Sequence, residues 1–197
     1  MQAAPPEGGA IAIRRFTRCV VWLGILSCVA AGLNAALPTY GQVIDRQYKL
    51  KAVYLYKFAT YVQWPEGAFR DEASPFVIGI LGPAPVGADL REIAKVKKIG
   101  GRKIDVRNYE QAGDIRDCHI LFISGAVNIE TQQAAIKLLS GRNILLVGET
   151  PEFLKHGGVI DLLIQENRIR IYISKSAYER EDLKISAQLL RIATVIR

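Results

Sequence analysis

The sequence predicts an α/β fold: a single-domain layered sheet of about six strands, largely parallel, with a C-terminal antiparallel hairpin and flanking helices. The first observation is alternation, because apolar strand-like runs are separated by helical stretches along most of the chain. The second is a short polar turn, Gln165-Glu166-Asn167, between the last two strands, which predicts the hairpin. The third is size, since 197 residues, 50% of them hydrophobic, suit one globular domain with a targeting segment.

Turn-forming residues set the boundaries of the predicted elements in chain order. A helix is predicted over 44–63. It should end there because Trp64-Pro65 follows, and the residue before a proline disfavours the α region. Strands are predicted at 76–81, 103–107, 118–124, 144–148, 159–165 and 168–174. Helices are predicted at 88–97, 128–139, 151–155 and 183–196. Segments rich in glycine and proline separate these elements, at 81–87, 99–101, 140–143 and 156–158.

The first predicted helix has one broad apolar face, as expected of a helix that covers a sheet. On a helical wheel this face consists of Leu50, Tyr54, Leu55, Phe58, Ala59, Tyr61 and Val62. Lys51 is the one charged residue within it. Val53 and Tyr56 fall on the polar side, where packing against the sheet does not explain them. We therefore expect Val53 and Tyr56 to contribute to a partner-binding surface.

The strand at 168–174 alternates strictly, which predicts that one of its faces is buried and the other meets solvent or a partner. Arg168, Arg170 and Tyr172 form the outward face. In the last predicted helix, Ile185, Leu189, Ile192, Ala193 and Ile196 form the expected buried stripe, with Leu183 and Leu190 at its margin. Gln188 and Arg191 lie on its outer side. These five outward residues are predicted to bind a partner.

Residues 1–42 have the order of a cleaved secretory signal peptide, which leaves 43–197 as an exported, periplasmic domain. Arg14, Arg15 and Arg18 precede an apolar run over 19–33, and small residues follow. An uncleaved anchor is disfavoured because that run is shorter than the roughly 20 residues that span a bilayer. The cleavage site and a lipoprotein-type modification remain open. Export argues against nucleic acid as a partner, although the whole chain has a formal net charge of +7.

The exported domain offers little catalytic chemistry, so we expect no enzyme activity, no cofactor and no metal. Cys118 and His119 are adjacent in a predicted strand and point to opposite faces, so they cannot form a dyad. Glu149 and Glu152 near a strand end are weak evidence for a site. The turn at 82–87 and the basic stretch from Lys95 to Arg107 leave one alternative open, a small-molecule-binding sensor.

An ordered set of motifs resembles the YfiR-like family of exported bacterial proteins over nearly all of residues 48–196. The motifs are LKAVYLYKFATYVQWP, FVIGILG, GRKIDVR, DCHILFIS, ILLVGETPEFLKHGGVIDL, NRIRIYIS and LKISAQLLRIA. The resemblance implies a non-enzymatic periplasmic repressor that binds the periplasmic domain of an inner-membrane diguanylate cyclase or sensor kinase and lowers cyclic-di-GMP signalling, and with it biofilm formation. It also implies a homodimer and an outer-membrane peptidoglycan-binding lipoprotein as a further partner.

Two features depart from the pattern of that family. Members often carry disulfides, whereas Cys118 is the only cysteine of the exported domain and has no second cysteine to pair with there. The sequence therefore argues against control of stability by an internal disulfide. Many members also place asparagine after the last strand, where this chain has Ser174-Lys175.

Overall fold

The computed structural model describes residues 40–197, with side chains from Ile44 onward. The predicted signal peptide at 1–42 lies almost wholly outside these residues and stays a prediction. Within 40–197, no helix is both long and apolar enough to cross a membrane.

Five helices and ten strands make up the described chain. The helices are α1 (Tyr40–Tyr61), α2 (Val86–Val96), α3 (Ile129–Leu139), α4 (Lys175–Arg180) and α5 (Ala187–Ile192). The strands are β1 (Val62–Gln63), β2 (Phe76–Leu81), β3 (Lys98–Ile99), β4 (Arg102–Tyr109), β5 (Ile120–Ile123), β6 (Leu145–Gly148), β7 (Ile160–Gln165), β8 (Arg168–Ser174), β9 (Lys184–Ile185) and β10 (Thr194–Ile196). A 3₁₀ turn at Ala112–Asp114 links β4 to β5.

Eight of the strands form one mixed sheet, in the order β10-β8-β7-β6-β5-β2-β4-β3. The pairs from β4 through β7 are parallel, as are β8 and β10, whereas β7–β8 and β3–β4 are antiparallel. β1 and β9 pair separately as a two-stranded antiparallel ribbon. The predicted α/β class and C-terminal hairpin are confirmed. The sheet has eight strands instead of about six, because the two shortest strands extend its edges.

The strands of the central sheet are buried on both faces, as parallel strands covered by helices should be. All six residues of β2 and all four of β5 are buried. Helix α1 adds Leu55, Phe58 and Ala59 to the same apolar core. The wheel assigned these three residues correctly. It was wrong for Leu50, which is 46% exposed.

The predicted helix at 183–196 is wrong. Residues 184–185 form β9, only Ala187–Ile192 is helical, and 194–196 form β10 beside β8. Leu183 and Leu189 are buried as expected, but Ile192 and Ile196 are exposed. The physical reason is that β8 has an open edge, and pairing with it satisfies the backbone of three consecutive β-branched residues.

The predicted helix at 151–155 is also wrong, because residues 151–157 form successive turns. The side chain of Phe153 lies against two glycines. A Cβ atom on Gly158 would stand 2.1 Å from the Phe153 ring, and one on Gly148 would stand 2.4 Å from it. The chain therefore wraps around Phe153, and only glycine fits at these two approaches.

Candidate functional site

The C-terminal corner, defined here as β8, α5 and β10, contains five of the seven residues predicted to bind a partner. They are Arg168, Arg170, Tyr172, Gln188 and Arg191. The corner forms because α5 leads directly into β10, which pairs in parallel with β8 and sets Thr194 opposite Tyr172. Residues from two separate motifs are thereby brought to one end of the sheet.

The outward face of β8 is polar and mostly solvated. Arg168 and Arg170 are exposed, whereas Ile171 and Ile173 on the other face are buried. Tyr172 is half-buried, and its hydroxyl donates to Oε1 of Gln165 at 2.9 Å. The guanidinium of Arg170 lies 3.7 Å from the Glu166 carboxylate, an exposed ion pair that adds little stability. Both arginines are therefore available to a partner at little cost to the fold.

Helix α5 adds an apolar residue that the sequence reading had placed in the core. Ser186 caps this helix, its Oγ accepting from the Leu189 N–H at 3.4 Å, and Leu189 points into the core. Gln188 and Arg191 are exposed as predicted. Ile192 is 65% exposed beside them. Arginine is enriched at protein interfaces, and the centre of an interface is more apolar than the rest of the surface, so this pair suits a binding surface.

Strand β10 forms one edge of the sheet. It pairs with β8 on one side, and no strand of the described chain pairs with its other side. Val195 and Ile196 point to opposite faces, and both are exposed, by 40% and 45%. An open edge with apolar side chains favours pairing with an added strand. Sequence reasoning missed this edge, although three consecutive β-branched residues at 194–196 were a signal for it.

Val53 and Tyr56 lie apart from the corner, on α1. Val53 is 44% exposed, on the same helical strip as the exposed Leu50. Tyr56 is half-buried and packs against the core, so packing accounts for it in part. The end of α1 is nonetheless tied to the start of α5, because the Ser186 N–H donates to the Tyr61 carbonyl at 2.9 Å. The role of Val53 and Tyr56 in binding stays a prediction.

A second polar feature is a buried ion pair at the carboxyl ends of β5 and β6, a position where α/β folds often bind ligands. Oε2 of Glu149 accepts from the Lys51 ammonium. Its Oε1 accepts from the Gly125 N–H at 2.8 Å and from the Tyr48 hydroxyl at 3.3 Å. Burial, followed by the Glu149 charge, raises the pKa of Tyr48 to about 12. These contacts anchor α1 to the sheet and use both carboxylate oxygens.

Asp161 lies near this pair, on β7. Asp161 is 3% exposed, and its Oδ1 has no hydrogen-bond partner among the described residues. Burial is the main cause that raises the pKa of Asp161 to about 7, and the Glu149 charge adds to it. Two sequence signals pointed toward the cluster, Lys51 within an apolar face and Glu149 at a strand end. Nothing in the sequence indicated that Lys51 and Glu149 are in contact. Glu152, the other acid noted there, pairs with Lys155 at the surface.

The turn at 82–87 has no room for a ligand at its first glycine, Gly82. A Cβ atom on Gly82 would stand 2.3 Å from a methyl group of Val127. The Ser124 hydroxyl donates to the Pro83 carbonyl at 2.6 Å, which closes the turn against the β5 end. The turn is therefore a packed connection between strand and helix.

The side chains of His119 and Cys118 are buried and contact backbone groups of the fold. Nδ1 of His119 accepts from the Val77 N–H at 3.0 Å, and Nε2 lies 3.1 Å from the Ala68 carbonyl. Burial lowers the pKa of His119 and raises that of Cys118 to about 12, so the thiol is unreactive at neutral pH. No group of His, Cys, Asp or Glu in residues 40–197 is arranged to hold a metal ion.

A cavity of about 290 Å³ lies beside His119, at the amino ends of β2 and β5. Its lining includes Phe69, Arg70, Arg107 and Asp117. Arg70 pairs with Asp117 at 2.7 Å, and Arg107 pairs with Asp105 at 2.8 Å. Both arginines are therefore partly neutralised, and the cavity has a mixed polar and apolar wall.

Comparison with known proteins links the fold to one family. Residues 48–194 match the model of the family DUF4154, described as YfiR/HmsC-like. No protein of curated function matches the chain. The matched range begins within α1 and ends at the first residue of β10, so it includes nearly all of the C-terminal corner.

Two solved structures are similar to this chain at low sequence identity. A conserved domain protein of Vibrio cholerae O1 biovar El Tor is similar with a TM-score of 0.50 and 11% identity, over 76% of this chain and 60% of its own. The ABC domain of Streptococcus pneumoniae in complex with L-Trp is similar with a TM-score of 0.45 and 10% identity, over 61% of this chain and 55% of its own. The chain thus spans about 60% of the length of the Vibrio protein, and the likeness shows the fold alone.

Proposed function

Because the chain belongs to the YfiR/HmsC-like family, we propose that it is a periplasmic, non-enzymatic repressor of an inner-membrane signalling enzyme. The family is periplasmic and regulatory, and it indicates a role in diguanylate cyclase signalling. In the proposal, the protein binds the periplasmic sensor domain of a diguanylate cyclase or sensor kinase. Binding lowers cyclic-di-GMP signalling and biofilm formation.

The observation that carries this proposal is the family match over 48–194, which covers nearly the whole described fold. The C-terminal corner supports it by offering a surface suited to protein binding. Exposed arginines lie there beside an exposed isoleucine and an open strand edge. A homodimer and an outer-membrane peptidoglycan-binding lipoprotein belong to the same proposal, supported by the sequence resemblance alone.

A deletion experiment in the native bacterium tests the proposed repression. Cells that lack the protein should contain more cyclic-di-GMP and form more biofilm than the parent. A plasmid copy should restore both values, whereas a copy with Arg170→Glu and Ile192→Glu should not. Lys137→Glu with Ala134→Glu, two exposed positions on α3, serves as the matched control and should restore them. Unchanged cyclic-di-GMP in the deletion strain would contradict the proposal.

The second candidate function is a small-molecule-binding sensor, favoured by the cavity of about 290 Å³ beside His119. That volume is at the lower end of the range of small-ligand pockets. A metabolite that occupies it should raise the melting temperature of the mature protein. Phe69→Ala enlarges the cavity and should change that shift. Stabilisation by a metabolite, together with failure to capture any membrane signalling protein, would favour this function over repression.

A further inference from the structure

The edge of the sheet opposite the C-terminal corner carries a concentrated positive charge. The basic hairpin is defined here as residues 91–107, the end of α2 with β3 and β4. It contains seven basic and two acidic residues, a formal net charge of +5. The other described residues, 40–90 and 108–197, contain sixteen of each sign. The whole net charge of the described chain therefore lies in this one segment.

Internal contacts engage four of the seven basic residues. Lys95 pairs with Glu92 at 2.7 Å and Arg107 pairs with Asp105 at 2.8 Å. Arg91 donates to the Asn108 side chain, and Arg102 donates to the carbonyls of Asp71, Glu72 and Ser74. The remaining three, Lys97, Lys98 and Lys103, are exposed and form no ion pair with any described residue.

Two of these three lysines repel each other within the fold. In the β3–β4 pairing, Lys98 lies directly opposite Lys103. Like charges in directly opposed positions of a sheet are destabilising. An acidic residue at either position would remove this repulsion. The arrangement is therefore suited to an external anionic surface that neutralises both lysines together.

An exposed apolar residue lies among these charges. Val96 is 77% exposed, the largest exposure of any large hydrophobic residue within 44–197. It is flanked in sequence by Lys95 and Lys97, and the Gly100-Gly101 turn leaves open space beside the hairpin tip. Lysines around an exposed apolar side chain suit the interface of an anionic bilayer, where the charges meet lipid phosphates and the apolar group meets the acyl boundary.

We propose that the basic hairpin binds the surface of an anionic phospholipid membrane through Lys97, Lys98 and Lys103, with Val96 at the lipid boundary. This surface is at β3, whereas the C-terminal corner is at β10, the other end of the eight-stranded sheet. The two surfaces can therefore be occupied at the same time. Lysines on an edge strand also oppose edge-to-edge aggregation. If the lysines had only that role, the protein would not bind lipid.

Vesicle co-sedimentation of the mature protein tests the proposal without any protein partner. The protein should sediment with vesicles of equal parts phosphatidylglycerol and phosphatidylcholine at low salt, and not with phosphatidylcholine alone. Because salt screens surface charge, high salt should release it. Each lysine near an anionic surface contributes roughly a fivefold factor to partitioning. The variant with Lys97, Lys98 and Lys103 changed to glutamine should therefore partition about a hundredfold more weakly.

The matched control changes three exposed lysines outside the hairpin, Lys57, Lys137 and Lys184, to glutamine. It has the same net charge as the hairpin variant and should bind vesicles much more tightly than that variant does. Equal loss in both variants would overturn the proposal, since overall charge would then explain the binding. Failure of the wild-type protein to sediment would also overturn it. So would equally tight binding to soluble polyglutamate, which would assign the lysines to an acidic protein or polymer.

A single substitution separates binding from stability. Lys98→Glu places opposite charges across the β3–β4 pair, so the melting temperature should rise by about 1–3 °C. The same variant should sediment with vesicles less than the wild type. A variant that becomes more stable and still binds vesicles fully would contradict the role of Lys98. Repression in cells is a separate readout, so loss of vesicle binding and loss of repression are distinguishable.

Discussion

At the scale of residues, Lys51 and Glu149 decide how α1 sits on the sheet. Two buried charges cost desolvation energy, and their attraction offsets that cost only where further hydrogen bonds complete the pair. Tyr48 and the Gly125 N–H supply those bonds. An apolar helix face could slide along an apolar sheet, whereas this pair fixes one position.

Removing one partner of the pair should be far more damaging than removing both. Glu149→Ala leaves a buried ammonium unpaired and should lower the free energy of unfolding by about 3–5 kcal/mol. Lys51→Met with Glu149→Leu should recover most of that loss. The exposed pair of Lys49 and Asp45 is the control, and Asp45→Ala should change the free energy of unfolding far less than Glu149→Ala does. Denaturant unfolding measures all three, and equal losses for the single and double variants would contradict this account.

Asp161 should make stability depend on pH. An aspartate titrates near pH 3.8 in the unfolded chain, whereas the pKa of Asp161 is raised to about 7 in the fold. The folded state therefore retains a proton that the unfolded state releases, so the free energy of unfolding should fall as pH rises from about 4 to 7. Relative to Asp161→Asn, the wild type should lose up to about 4 kcal/mol across that window.

Denaturant unfolding of both proteins at several pH values gives this difference. The lowered pKa of His119 acts in the opposite direction, removing stability as pH falls below the ordinary value of 6.5. That contribution is shared by both proteins and cancels in the comparison. Curves for wild type and Asp161→Asn that run parallel between pH 4 and 7 would contradict the raised pKa.

Phe58 and Tyr56 test the assignment of the two faces of α1. Phe58 is 1% exposed, so Phe58→Ala should lower the free energy of unfolding by about 3–5 kcal/mol. Tyr56 is on the polar side of the helical wheel, and a fully solvated side chain there could be removed with little change in stability. Since Tyr56 is half-buried against the core, we now expect a smaller but measurable loss. A Phe58→Ala protein with an unchanged melting temperature would contradict the packing of α1.

At the scale of elements, local pattern predicted the central strands well and the chain end poorly. β2 and β8 coincide with the predicted strands at 76–81 and 168–174, because their apolar runs are bounded by glycine, proline or polar turns. The last segment has isoleucines and leucines at helical spacing, which predicted one long helix. β9 pairs with β1, and β10 pairs with β8. Such pairings between separate segments cannot be predicted from the spacing of apolar residues within one segment.

For the candidate site too, local sequence pattern predicted some residues correctly and others incorrectly. Alternation along β8 placed Arg168 and Arg170 outward correctly, because a strand with one buried face obeys a period of two. Gln188 and Arg191 are also exposed, as predicted, although the helix that contains them is shorter than predicted. The exposure of Ile192 could not be predicted from helical spacing, because the helix ends at that residue. The β-branched run at 194–196 was a local signal for a strand, but its pairing with β8 was not visible in the sequence.

Two residues of α5 should separate stability from binding. Leu189 is 1% exposed and Ile192 is 65% exposed, although the sequence reading placed both in one buried stripe. Leu189→Ala should cost about 2–5 kcal/mol of unfolding free energy. Ile192→Ser should change it by less than about 0.5 kcal/mol but weaken partner binding. Calorimetric melting checks both, and a large loss for Ile192→Ser would show that Ile192 is buried, contrary to its exposure in the structure.

At the scale of the whole molecule, the two surfaces lie at opposite ends of one eight-stranded sheet. The C-terminal corner carries arginines, exposed apolar groups and an open edge, whereas the basic hairpin carries the net positive charge. A protein arranged in this way can contact a membrane with one end and a sensor domain with the other. Export of the domain, which residues 1–42 predict, would place both contacts in the periplasm.

The central claim is repression by direct binding through the C-terminal corner, and a reconstituted cyclase tests it most directly. The mature protein is titrated onto the full-length diguanylate cyclase in vesicles, while binding and cyclic-di-GMP production are measured together. Production should fall as the protein binds. Arg170→Glu with Ile192→Glu should weaken binding at least about tenfold and restore production. Saturating protein that leaves production unchanged, or a corner variant that represses as well as the wild type, would contradict the account.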